Sequence, residues 1–232
     1  MKAIIFDVDG TLSETEEIHR KAFNQAFEER GLTWNWDRAL YRKLLRVSGG
    51  KERIRHFIER YDADGFETVD SDDQIGAMHL EKTAIYTRMV SAGEAVLRPG
   101  IRQAISAAQQ NGYRLAISTT TSLANIDALL RSAYGSNGSS MFDVICGGDM
   151  VAEKKPAPDI YLLTLEKLGL PAEDCIAIED TRNGLLSAHR AGIATVITPS
   201  FYSNDQRFDE AVLITDDIGN VDFEALFSRL RK

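Results

Sequence analysis

The sequence predicts an α/β protein: a doubly wound parallel sheet with a helical module inserted after its first strand. Three observations carry this. From about residue 95 onward, short apolar β-forming runs alternate with helical stretches, the pattern of a parallel sheet covered on both faces. One further apolar run, Ala3–Phe6, stands apart at the start and drives directly into Asp7-Val8-Asp9-Gly10-Thr11. Between the two, residues 14–92 contain no convincing strand. The boundaries that follow are 1–13 and 93–232 for the sheet core and 14–92 for the inserted helices, with hinges near Leu12–Thr15 and Ala92–Arg98.

Each element has its own signal. Ala3–Phe6 is continuously apolar, as a strand buried on both faces must be. Ile18, Ala22, Phe23, Ala26 and Phe27 recur at helical spacing, as do Leu40, Leu44 and Leu45, and a third helix is expected around Met78–Val90. Asp62–Asp73 is acidic and reads as a solvated loop. In the core, strands are expected at Leu115–Ile117, Val144–Cys146, Cys175–Ile178 and Ala194–Ile197, with Leu213-Ile214 a weaker sixth. Helices are expected at Ile101–Gln110, Asn125–Ser132, Asp159–Leu168 and Gly184–Ala191; Gly112, Gly169 and Gly192 stand where helices stop.

Composition narrows the function. The 232-residue chain is 44% hydrophobic and 27% charged, with a formal net charge of −8. That balance argues against a nucleic-acid binder relying on phosphate contacts. It still permits a small anionic substrate, because local cations and a metal override the global sign. No uninterrupted apolar stretch is long enough to span a membrane. With a strand beginning at residue 3 there is no room for a signal peptide, and a cytoplasmic protein is expected. Cys146 and Cys175, each within an apolar run, read as two buried thiols rather than a disulfide.

The chemistry starts at Asp7 and Asp9. Alternation along an extended segment would send both carboxylates the same way. They would then share a site at the carboxyl end of a strand, where open α/β sheets bind ligands. Such a pair is costly without a cation. Later strand ends add Thr119-Thr120-Thr121-Ser122, then Glu153-Lys154-Lys155-Pro156 and Glu179-Asp180-Thr181. Taken singly, a hydroxyl cluster or an acidic pair before a helix is often only an N-cap. Together they form a set for phosphoryl transfer. Asp7 would attack phosphorus, and Asp9 would protonate the leaving oxygen and later activate water. Thr119 and Lys155 would hold the transferring oxygens. Asp7, Asp9, Glu179 and Asp180 supply hard oxygen ligands suited to Mg²⁺.

In order and type these four motifs resemble those of the haloacid dehalogenase superfamily. The resemblance implies a Rossmann-like core and Mg²⁺-dependent phosphotransfer from an aspartyl nucleophile. The helical insertion after the first motif is similar to that of the subgroup holding β-phosphoglucomutases, phosphoglycolate phosphatases and CbbY-type sugar bisphosphate phosphatases. Glu14–His19, Trp34–Asp37, Gly49–Ile54, Thr119–Ser122 and Gly148–Val151 look CbbY-like. That likeness implies xylulose 1,5-bisphosphate as substrate. A sugar-phosphate mutase and a phosphoglycolate-type phosphatase remain alternatives. A phospho-receiver domain would be about half as long and lack the insertion. Substrate selection is expected from the inserted helices. Gly50, Lys51 and Arg53 would take a second phosphate at a helix start, and Glu16 and His19 would meet sugar hydroxyls. Thr120 and Asn125 are further candidates for the pocket wall. The expected partner is a small phosphorylated sugar, with no nucleic acid and no membrane, and the chain is expected to be a monomer.

Overall fold

The computed structural model describes residues 1–61, 69 and 71–231. Six parallel strands form one sheet in the order β3-β2-β1-β4-β5-β6. They are β1 (Ala3–Phe6), β2 (Arg114–Ser118), β3 (Val144–Cys146), β4 (Cys175–Glu179), β5 (Ala194–Ile197) and β6 (Leu213–Ile214). β1 is central. Phe6 pairs with Ile117 of β2 on one side and Ile178 of β4 on the other. This register places the carboxyl ends of β1, β2 and β4 at one level, which is what gathers their following residues. Alternate side chains of these strands enter two separate apolar clusters, Ile4 and Phe6 on one face, Ala3 and Ile5 on the other. Cys146 and Cys175 are buried and free, as expected.

Among the described residues, four helices separate β1 from the return to the sheet: α1 (Glu16–Glu29), α2 (Arg38–Leu44), α3 (Gly50–Tyr61) and α4 (Asp72–Ser91). They have their own aromatic-rich cluster, including Phe23, Phe27, Trp36, Tyr41 and Phe57. α1 and α4 also present Ile18, Ala22, Ile85, Tyr86 and Val90 to the larger cluster beneath the sheet. The outgoing and returning segments run side by side. Ser13 forms an antiparallel bridge with Leu97, and the Arg98 amide donates to Leu12 O at 2.9 Å.

The core helices are α5 (Ile101–Gln110), α6 (Leu123–Tyr134), α7 (Asp159–Leu168), α8 (Arg182–Arg190) and α9 (Phe223–Leu230). One expectation needs correcting, and one helix is new. Asp72 and Asp73 are not loop residues but form the first turn of α4, where Ser71 accepts from the Gln74 amide and the acids complement the helix dipole. The rest of that acidic stretch, 62–68 and 70, lies outside the described residues. α9 was not expected, yet Asp222 caps it and Phe223, Leu226 and Phe227 bury one stripe.

Candidate active site

β1 ends at Phe6 and the chain turns from Val8, whose carbonyl accepts from the Thr11 and Leu12 amides, so Asp7 and Asp9 do not lie together within the strand. The Asp7 amide still continues the ladder, donating to Ile178 O at 3.0 Å. Beyond it the backbone folds into a tight turn in which the Gly10 amide donates to Ser13 O at 2.8 Å. Gly10 has φ +81°, and a Cβ there would lie 2.2 Å from Asp180 Oδ2. Both the turn and the approach of Asp180 therefore require glycine.

Lys155 organises the floor. Its Nζ donates to Asp7 Oδ1 (2.7 Å), Glu179 Oε1 (2.6 Å) and Ser118 O (2.9 Å), using all three donors of the ammonium. Tyr161 Oη also donates to Glu179 Oε1, at 2.7 Å. Ligand oxygens of Asp7, Glu179 and Asp180 all lie within 4.8 Å of one another. Among the described residues, Glu179 Oε2 and Asp180 Oδ1 are buried without a hydrogen-bond partner. Glu179 can lie where it does because residue 184 at the start of α8 has no Cβ, which would stand 1.9 Å from Oε2.

Electrostatics at this floor point one way. Burial, reinforced by Glu179 and Asp9 and opposed by Lys155, raises the Asp7 carboxyl to about 7. Burial, with Asp7 and Glu179 adding to it, pushes Asp180 well above the ordinary carboxylate range. Lys155 moves upward, because Asp7 and Glu179 outweigh its burial. Fully ionised, three carboxylates against one ammonium would carry two uncompensated negative charges, which is why Asp7 and Asp180 are raised, and the two orphaned oxygens are hard donors. The site fits a divalent cation of the Mg²⁺ type.

Asp9 is placed differently from the expectation that it shares the cation. Its carboxylate is not among the gathered ligand atoms; it turns instead toward the inserted helices. Asp9 Oδ1 accepts from Thr15 Oγ1 at 2.5 Å and pairs with His19 Nε2 at 2.9 Å. His19 Nδ1 lies 2.6 Å from Lys82 Nζ. With Lys82 donating to Nδ1, the ring's other nitrogen carries the hydrogen that faces Asp9. His19 stacks on Tyr86 with centroids 4.0 Å apart, and Lys82 sits over Phe23 and Tyr86. Burial pushes Asp9 up, but His19, Thr15 and Lys82 prevail and hold it at about 2. Burial lowers Lys82 to about 7.

The remaining walls come from β2 and the inserted helices. Thr119 and Thr120 line the cleft with Asp7 and Asp9. The Thr119 amide donates to Cys146 O at 3.1 Å, and its Oγ1 accepts from the Thr121 amide at 3.3 Å. Asn125 also lines the cleft and takes part in the helix start, its amide donating to the capping Ser122 Oγ at 3.4 Å. Its Nδ2 donates to Thr121 Oγ1 at 3.0 Å. Glu16 accepts from Tyr41 Oη at 2.8 Å, and Arg53 Nη1 donates to the same hydroxyl at 3.3 Å. Gly50 and Lys51 open α3 on the rim, and Lys51 Nζ reaches to 4.0 Å from Asp149 Oδ1 of the core. The structure thus brings every sequence-selected residue to one cleft. Sequence reasoning missed Lys82, His79, Thr15 and Tyr161. Lys82 lies one turn after His79 on α4, and Lys in an amphipathic helix carries no signal distinguishing it from a solvated surface residue.

These features define a hydrolase with an aspartate at the end of the central strand. Residues 1–192 match the haloacid dehalogenase-like hydrolase model. The chain is 48% identical over 220 residues to the plasmid protein CbbY of Cupriavidus necator, covering 95% of this chain and 87% of that one. It is 30% identical to a phosphorylated carbohydrates phosphatase of Thermotoga maritima, covering 84% of each. Crystal structures of CbbY from Rhodobacter sphaeroides superpose with a TM-score of 0.90 over 96% of both chains. One, in complex with phosphate, is 45% identical; the other, a mutant in complex with xylulose-(1,5)bisphosphate, is 44% identical. The chain belongs to the haloacid dehalogenase-like hydrolase family, and within it is a CbbY-like phosphatase.

Proposed function

We propose that the protein is a Mg²⁺-dependent phosphatase of small sugar phosphates that acts through an aspartyl-phosphate on Asp7, with xylulose 1,5-bisphosphate as its substrate. The observation that carries the reaction is the floor itself: Asp7 beside Lys155, with Glu179 and Asp180 leaving unpartnered oxygens. The substrate is supported by the 44%-identical CbbY crystallised with that bisphosphate, and by Lys51 and Arg53 on the opposite wall.

Asp7 Oδ attacks phosphorus, and the bond from phosphorus to the sugar oxygen breaks. Asp9 enters this step protonated, having taken up a proton as the phosphate binds, and gives that proton to the departing oxygen. That carboxyl starts near 2, and the arriving phosphate dianion raises it by like-charge repulsion. His19, 2.9 Å away, holds a proton beside it. Water then attacks the phosphoryl group and Asp9 accepts the proton it gives up. The bond from phosphorus to Asp7 breaks and free phosphate departs. Lys155 and Thr119 hold the equatorial oxygens through the transfer. Asp7, Asp180 and Glu179, the last directly or through water, would hold Mg²⁺, which when bound offsets the repulsion between nucleophile and phosphate.

Residues 14–92 act as a cap over this floor. Glu16 meets sugar hydroxyls, and Gly50, Lys51 and Arg53 receive the phosphate that is not transferred. A panel of phosphorylated sugars with Mg²⁺, assayed for free phosphate, tests the reading. Preferred release from xylulose 1,5-bisphosphate supports it. Isomerised sugar phosphate without free phosphate means a mutase and overturns it.

A further inference from the structure

His79 of α4 faces the active-site cleft on the same side as Gly50, Lys51 and Arg53, and nothing in the reaction above uses it. Its ring lies directly on the first residue of α3. A Cβ at position 50 would stand 2.3 Å from His79 Nε2 and 2.5 Å from Cδ2. Gly50 is therefore glycine for contact with this imidazole; a positive φ is not the reason. The first amides of a helix have no intrahelical acceptor and attract anions, and His79 stands beside them.

Among the described residues the His79 ring makes no hydrogen bond, although its backbone carbonyl accepts from Thr83 Oγ1. Its charged neighbours are Lys82 on its own helix and Lys51 and Arg53 on α3, and the His19 ring of α1 is also near. The acidic groups lining the same cleft are Glu52, folded over Gly49, Glu16 on α1, Asp149 on the core, and Asp7, Asp9, Glu179 and Asp180 of the floor. Burial and then the cations hold the ring at about 3. A neutral imidazole keeps one N–H donor and one acceptor, and here the donor is unused among cations with space for an anion.

We propose that His79 is a specificity-determining residue that donates a hydrogen bond to the substrate's second, non-transferred phosphate, completing the set of Gly50, Lys51 and Arg53. The inference deepens the bisphosphate reading and rests on it. A sugar carrying one phosphate leaves the ring unpartnered, so His79 separates two-phosphate from one-phosphate substrates.

The test is the KM ratio between a ketopentose 1,5-bisphosphate and the corresponding 1-phosphate, for wild type, His79→Phe and His79→Asn. His79→Phe keeps a ring of similar size without the donor, and the ratio is expected to move against the bisphosphate by about tenfold, the size of one hydrogen bond to a charged group. His79→Asn, which restores an N–H, is expected to recover part of that loss. Equal changes on both substrates, or an unchanged ratio, overturn the proposal. The wild type separates the two readings. No wild-type preference for the bisphosphate overturns the substrate assignment. In that case His79 ring resonances that move when inorganic phosphate is added keep it as an anion ligand, and resonances that stay fixed overturn that too.

Discussion

His19 Nε2 lies 2.9 Å from Asp9 Oδ1, so the carboxylate proposed to move the proton is held by a helix of the insertion and not by the sheet. Thr15 completes the grip at 2.5 Å, and Lys82 backs the imidazole at 2.6 Å. The contacts that set the state of Asp9 are thus contacts between the inserted helices and the strand-end loop.

Replacing His19 with Ala removes the largest influence holding Asp9 at about 2. The Asp9 carboxyl then rises toward its ordinary value, and the acidic limb of the kcat profile moves to higher pH. Turnover is expected to fall by about a hundredfold, the lower end of the range for general acid–base catalysis, with KM changing less. An unmoved acidic limb would separate Asp9 from His19.

Lys82 gives a stability test with a defined sign. Its folded value of about 7 lies below the ordinary lysine value of about 10.4. Between those limits the unfolded chain binds the extra proton, so this residue's contribution to stability increases as pH rises from 7 to 10. Lys82→Met removes that contribution to the slope. Thermal melts of both proteins across this window should show the difference in Tm shifting in the wild type's favour as pH increases. Parallel curves would mean that Lys82 is not desolvated.

Lys155→Met leaves Asp7 and Glu179 without their ammonium partner in a buried site. Removing one member of a buried ion pair typically costs about 3–5 kcal/mol. Urea unfolding of the metal-free variant should show a loss of that order. A loss below about 1 kcal/mol, the range of exposed pairs, would place the carboxylates in contact with water.

The orphaned oxygens of Glu179 and Asp180 predict strong linkage to Mg²⁺. At free Mg²⁺ of 100 times its dissociation constant, the native state should gain about 2.7 kcal/mol. Asp180→Asn should lose most of this thermal shift, and chelation should abolish phosphate release. A Tm indifferent to Mg²⁺ in the wild type contradicts the metal assignment.

The sheet was legible because each strand is buried on both faces and so is written as a continuous apolar run. The four strand-end motifs were legible because their residue types are costly to bury together unless they do chemistry. Asp9's orientation was not, because it depends on where the chain leaves the strand, and Phe6 rather than Asp9 ends it. Asp72 and Asp73 looked like loop because acids dominate that stretch, yet Ser71 followed by two acids is also a helix-start pattern. Lys82 and His79 owe their roles to α4 packing against α1 and α3, a tertiary fact with no local signature.

The nucleophile is the central claim, and the most direct measurement is acid-quenched rapid mixing with substrate labelled in the transferring phosphoryl group, followed by peptide mapping. Transient label on the peptide containing Asp7, decaying as free phosphate appears and absent in Asp7→Asn, is the predicted result. Phosphate formed with no labelled enzyme at any time, or label at a different residue, would contradict it.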